Sequence, residues 1–155
     1  MRAWLAIAMI SLLMTGCGEQ QKAYENHSHA TGDIQETTAS IEVLPTFLDG
    51  LHDNIGKVYA IAGQNAELLD WIPCYCGCGE SAGHLSNKNC FIKAVHDDGS
   101  VVWDDHGTRC GVCMEIAIQA AKMKEEGKSV KEIRTLIDAA YKEGYAAPTK
   151  TPMPV

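Results

Sequence analysis

The sequence predicts a mainly α fold of the small α+β kind, with helices packed around one short β-hairpin and a Cys-rich loop. Three observations carry this. Apolar residues recur at helical spacing between Leu44 and Trp71, and again between Cys113 and Tyr141. Two short runs of β-forming residues flank Asp97-Asp98-Gly99-Ser100, a turn signal. All but one of the seven cysteines crowd between Cys74 and Cys113. A chain of 155 residues, 46% hydrophobic and 21% charged, has room for one folded domain and is not wholly disordered. Aromatic residues are only 6%, so the core must rest on aliphatic side chains.

The chain opens on Met1-Arg2, followed by an apolar run from Ala3 to Met14. That run is shorter than the roughly 20 residues of a spanning helix and reads as a signal peptide over 1–16. Leu13-Met14-Thr15-Gly16-Cys17 resembles a bacterial lipoprotein signal, in which cleavage precedes the cysteine and its thiol takes a diacylglycerol. An ordinary secretory signal with an incidental cysteine is the alternative. Two or more acyl chains hold a protein stably on a membrane. The expected location is therefore extracytoplasmic, lipid-anchored through Cys17 to the outer face of the bacterial cell membrane. Loss of Arg2 takes the formal charge from −7 to −8. Residues 17–40 are polar without an apolar period and read as a flexible tether, with His27 and His29 solvated in it.

The Cys-rich helical domain is expected over 41–145. Leu44, Phe47, Leu48 and Leu51 predict a short helix after Pro45. Ile55, Val58, Tyr59 and Ala62 predict a second helix that stops at Gly63, and Ala66 to Trp71 a further helical turn ended by Pro73. Cys74 to Asn89 reads as loop. Cys90–Val95 and Val101–Trp103 form the hairpin, which Asp104 to Thr108 breaks. Cys113, Ile116, Ala117 and Ala120 share a face of the next helix, ended by Gly127. Ser129 and Glu132 make a capping box for a last helix with Val130, Ile133, Ile137, Ala140 and Tyr141 on its buried stripe. Residues 146–155, with three prolines, form an extended or loose tail.

The chemistry centres on Pro73-Cys74-Tyr75-Cys76-Gly77-Cys78-Gly79. In an extended chain, side chains at alternate positions point the same way, so Cys74, Cys76 and Cys78 can present three sulfurs on one side. A disulfide within C-x-C needs strained geometry, so crowded thiols suit a soft metal better, unless each pairs with a distant cysteine. Cys110-Gly111-Val112-Cys113 is a C-x2-C at a helix start, a spacing for bidentate ligation or, because a helix N-terminus lowers a thiol pKa, for redox exchange. The candidate metal ligands are Cys74, Cys76, Cys78, Cys90, Cys110 and Cys113, with His84, His106 and Met114 as further donors. His52 reads as structural and His96 as solvated. Tyr75 and Trp71 read as packing that shields the site, and Asp104 and Asp105 as solvated or orienting a histidine.

Thiolate, imidazole and thioether donors select copper(I), zinc or iron–sulfur over calcium or magnesium. Zinc needs only four ligands, whereas bridging thiolates would let several copper(I) ions use all six cysteines. Copper(I) is the first choice and zinc the second. Metal binding ranks above a disulfide-stapled surface interaction module, and both rank above a thiol–disulfide oxidoreductase using Cys110 and Cys113, which lacks a βαβ context. The acidic balance excludes nucleic acid as a main partner. No Ser-His-Asp set, phosphate loop or spaced carboxylate pair points to an enzyme. The expected partners are the membrane, a metal ion and a metal-delivery protein that the sequence does not identify.

Pro73-Cys74-Tyr75-Cys76-Gly77-Cys78 resembles the family named for its PCYCGC motif, bacterial exported proteins and lipoproteins. Gly83-His84, Asn89-Cys90-Phe91, Trp103-Asp104, His106, Cys110-Gly111-Val112-Cys113 and Pro148-Thr149-Lys150-Thr151-Pro152-Met153-Pro154 are similar to it as well. The resemblance spans about Leu44 to Pro154. It implies class and location, and supplies no catalytic residues.

Overall fold

A computed structural model describes His27–Ser28 and residues 32–155. The signal peptide, Cys17 and most of the segment read as tether lie outside the described residues. Among the described residues no helix is long and apolar enough to cross a membrane.

The chain forms β1 (His27–Ser28), β2 (Ile34–Thr38), α1 (Asp53–Gln64), α2 (Ala66–Leu69), α3 (Gly79–Ala82), β3 (Ile92–Val95), β4 (Val101–Asp104), α4 (Gly111–Glu125) and α5 (Val130–Ala140). Tight 3-10 turns lie at Thr46–Leu48, Asn87–Cys90 and Asp105–Arg109. The expected hairpin is β3–β4, with Ile92 opposite Trp103 and Val95 opposite Val101. The sheet is larger than the hairpin, because β2 pairs antiparallel with the other edge of β4, giving the order β1-β2-β4-β3.

Strand β2 corrects the tether reading for its last residues. Ile-Gln-Glu-Thr-Thr shows no apolar alternation, yet Gln35, Glu36 and Thr38 are buried. Each of these side chains finds a hydrogen-bond partner, which is the condition for burying them. Gln35 Nε2 donates to Asp104 Oδ2 at 2.8 Å, and Trp103 Nε1 donates to Thr38 Oγ1 at 2.8 Å. The Glu36 carboxylate accepts from the Thr46 and Phe47 amides at 2.8 and 3.2 Å and from the Thr46 hydroxyl at 2.9 Å. Glu36 thus caps the short turn that follows Pro45.

Helix α1 starts where His52 Nδ1 accepts from the Asn54 amide at 3.2 Å, which gives His52 a structural role. The helix passes through Gly63 and ends at Gln64. Gly63 is there for space: a Cβ would come within 3.0 Å of Ile41 and Trp103. Tyr59 lies fully buried among Phe47, Phe91 and Trp103, at ring separations of 5.7, 5.2 and 6.1 Å, and its hydroxyl donates to the Asp104 carbonyl at 2.7 Å. Helices α4 and α5 bury Ile116, Ala117, Ala120, Ile133 and Ile137 in the same core. The Ser129–Glu132 capping box forms as the spacing indicates.

The C-terminal tail is extended, and it is held. The Thr149 amide donates to the Cys74 carbonyl at 3.1 Å and the Ala146 amide to the Tyr75 carbonyl at 3.3 Å, so the tail lies along the cysteine loop. Arg134, only 7% exposed, donates Nη1 to the Trp71, Thr151 and Pro152 carbonyls at 3.1, 3.2 and 2.9 Å, and Nε to Asp138.

The turn at Asp105–Arg109 presses against the Cys90 segment through Gly107. A Cβ there would stand 2.6 Å from the Phe91 ring and 2.8 Å from the Cys90 carbonyl, with backbone on one side and a buried ring on the other. Gly107→Ala is expected to cost about 1–3 kcal/mol through overpacking, read as a lowered denaturant midpoint at unchanged slope.

Candidate metal centre

Three separate pieces of backbone bring the sulfurs together. Cys74 follows α2 and Pro73, and its amide donates to Thr149 Oγ1 at 2.9 Å. Gly77 turns the loop at φ +81°, a conformation that favours glycine. This sends Cys76 inward and puts Cys78 at the start of α3. Cys90 ends the turn capped by Ser86 and Asn89. Cys110 is the N-cap of α4 and Cys113 lies in its first turn. Asn87, fully buried, ties two of these pieces together, its amide donating to the Ile72 carbonyl at 2.7 Å and its Nδ2 to the Cys113 carbonyl at 3.2 Å.

The six described cysteines are free thiols. Cys74 Sγ stands 2.9 Å from Cys76 Sγ, 3.4 Å from Cys113 Sγ and 3.7 Å from Cys90 Sγ. Cys90 and Cys113 sulfurs are 3.0 Å apart. A disulfide needs about 2.05 Å and one partner per sulfur. Here Cys74 has three neighbours, so no pairing is singled out. Three cysteine-containing sets have donor atoms within 4.8 Å of one another: a buried triad of Cys74, Cys90 and Cys113; a second triad of Cys76, Cys110 and Cys113; and Cys76 and Cys78 with His106. Cys113 belongs to both sulfur triads. Two sulfurs about 2.3 Å from one tetrahedral ion stand about 3.8 Å apart. Cys74 and Cys90 already meet that spacing, and the other two pairs of the buried triad would have to open by less than about 1 Å.

The electrostatics of the cluster are those of thiols that cannot all ionise together. Donation from Cys110, then Cys113, Cys74 and Cys90, holds the Cys76 thiol well below its ordinary pKa. Cys113 is pushed well above it, because its proton is held by contacts to Cys110, Cys74, Cys76 and Cys90. Cys110 is raised as well, to about 11, so the helix N-terminus leaves neither thiol of the C-x2-C pair acidic. Cations placed between the sulfurs would remove this conflict.

His84 and His106 both reach the margin of the cluster. His84 is buried, its Nδ1 3.5 Å from Cys90 Sγ, and burial followed by the neighbouring His106 lowers its pKa. His106 is raised, chiefly by its hydrogen bond with Cys76 and then by Asp33, against the effect of burial. The two rings meet edge to face at 4.6 Å. Met114 packs half-buried against the hydrophobic core. His96 is exposed in the hairpin turn. Tyr75 is buried, and its hydroxyl donates to Asp138 Oδ1 at 2.6 Å.

Asp104 and Asp105 are buried, not solvated. Asp104 accepts from the His106 amide at 2.9 Å, and Asp105 from the Ile34 amide at 2.8 Å and from Arg109 Nη1 at 2.6 Å. The carboxylate facing the His106 ring is Asp33, with both oxygens 3.4 Å from Nδ1. Asp33 carries no motif, and sequence reasoning placed it in the tether. Its proximity follows from the pairing of β2 with β4.

With this geometry in hand, comparison with known proteins adds the family. The model of a family described as proteins of unknown function with a PCYCGC motif matches residues 6–154. The chain belongs to the PCYCGC-motif family. Among curated proteins and among solved structures, none matches it. The family therefore adds no function of its own, and the PCYCGC segment takes its meaning from the site: its cysteines stand where they could hold a metal ion together with Cys90, Cys110 and Cys113.

Proposed function

We propose that this PCYCGC protein is an extracytoplasmic lipoprotein, anchored through Cys17, that binds copper(I) in a polynuclear thiolate centre and serves metal capture, buffering or delivery. The observation that carries the reading is Cys113, shared by two sets of three sulfurs. A sulfur common to two triads is a bridging ligand, and three-sulfur sets suit copper(I), whereas zinc takes four donors. The soft donors, the buried inner triad and the lipoprotein-like leader support the same reading. A protein that hands the ion on is the partner such a role requires.

The test titrates reduced, anaerobic protein with copper(I) against a competing chelator, and counts metal in the membrane fraction of cells. More than one copper(I) per chain is expected, with protection of the six thiols. The copper is expected with the membranes for the native chain and in the released fraction for Cys17→Ala. Protein that carries three cystines and takes up no copper after reduction would mean a stapled surface module. Protein that keeps zinc against copper(I) would reassign the metal.

A further inference from the structure

Beside the sulfurs lies a set of donors of different chemistry. Asp33, His84 and His106 have ligand atoms within 4.8 Å of one another, two of the three residues being buried. Asp33 comes from the residue before β2, His84 from the loop after α3 and His106 from the turn after β4. Two imidazoles and one carboxylate are harder than the thiolates next door and match an ion of borderline softness. The spacing supports this. Two donors about 2.1 Å from one tetrahedral ion stand about 3.4 Å apart. That is the separation of His106 Nδ1 from Asp33, long for a charge-assisted hydrogen bond.

Charge supports it independently. Asp33, Asp104 and Asp105 are buried with carboxylate oxygens within 4.8 Å of one another. The cations beside them are Arg109, half-exposed, which donates to Asp33 at 2.5 Å and to Asp105 at 2.6 Å, and the His106 ring, 3.4 Å from Asp33 and charged when protonated. Gln35 donates to Asp104 without bringing charge. One exposed guanidinium and one imidazolium still leave three buried carboxylates short of a positive charge, and burying unmatched charge is costly.

We propose that Asp33, His84 and His106 form a second metal site for a borderline divalent cation of the zinc(II) kind, bordering the thiolate centre and separate from it. The assignment goes beyond the copper(I) reading and does not depend on which ion fills the sulfurs. His84 lies 3.5 Å from Cys90 and His106 within reach of Cys76 and Cys78, so an ion here would share a wall with the sulfur cluster.

The experiment loads the reduced full chain with copper(I), adds zinc(II), and reads the bound zinc by X-ray absorption. One zinc per chain is expected in a shell of nitrogen and oxygen at about 2.0–2.1 Å, without sulfur at about 2.3 Å. Asp33→Asn, close in shape, is expected to weaken zinc binding about 10–100-fold while the copper count and circular dichroism stay unchanged, and Asp33→Glu to restore part of it. No bound zinc, a sulfur shell, or zinc affinity indifferent to Asp33→Asn would each overturn the assignment. If the chain takes no copper(I), the thiolate reading fails by that count alone. The response of zinc binding to Asp33→Asn then decides the second site, because zinc held by the sulfurs would be indifferent to that change.

Discussion

Replacing Cys113 by alanine is expected to remove more than one copper(I) ion from the loaded protein. Its sulfur is 3.0 Å from Cys90 and 3.4 Å from Cys74, and it belongs to both sulfur triads. Deleting it leaves each triad with two donors. Cys78 lies at the half-exposed margin and belongs to neither sulfur triad. Cys78→Ala should therefore lose one ion at most. Metal counted after gel filtration separates the two variants. Equal losses would mean independent sites and no bridging sulfur.

Alanine is the right probe at Cys113 because the residue is fully buried and a serine hydroxyl would need a partner there. The cavity should cost the metal-free chain about 1–2 kcal/mol, at the low end of buried truncations. The larger difference appears with metal. Ligand held at 1,000 times its dissociation constant stabilises the native state by about 4 kcal/mol. Adding copper(I) should raise the thermal midpoint of the native chain far more than that of Cys113→Ala.

The helices and the hairpin were legible because their burial follows period: Ile133 and Ile137 one turn apart, Val101 and Trp103 two apart on the same sheet face. The cysteine set was legible from composition, since no other feature of the chain concentrates soft donors. Strand β2 was not legible. Its buried side chains are Gln35, Glu36 and Thr38, which read as solvent-facing until β4 and the turn at Thr46 supply their hydrogen bonds. Asp33 was missed for the same reason, since it meets His106 only through a contact across 73 positions. Gly63 was misread as a stop because a glycine needed for close packing and one needed for a helix end look identical in sequence.

The tail shows the same limit, and it carries the second large effect. Three prolines signalled an extended segment but not that a single guanidinium would hold it. Arg134 on α5 bonds the Trp71 carbonyl, two residues past α2, and two tail carbonyls, Thr151 and Pro152. Its Nε pairs with Asp138, which also accepts from Tyr75 in the cysteine loop. Thr151 in turn donates to the Leu85 carbonyl at 2.6 Å, and a Cβ on Gly79 would collide with the Thr149 methyl group. The tail therefore lies as a strap over the loop that carries Cys74, Cys76 and Cys78. Arg134→Ala strands three carbonyls, and breaking a buried charged hub of this kind is expected to cost about 3–5 kcal/mol. Chemical denaturation should show that loss, and trypsin should cut at exposed Lys150 faster than in the native chain. Copper(I) transfer to a chelator should accelerate in parallel, because the strap shields the loop. Accelerated cleavage with unchanged transfer would separate the tail from the metal centre.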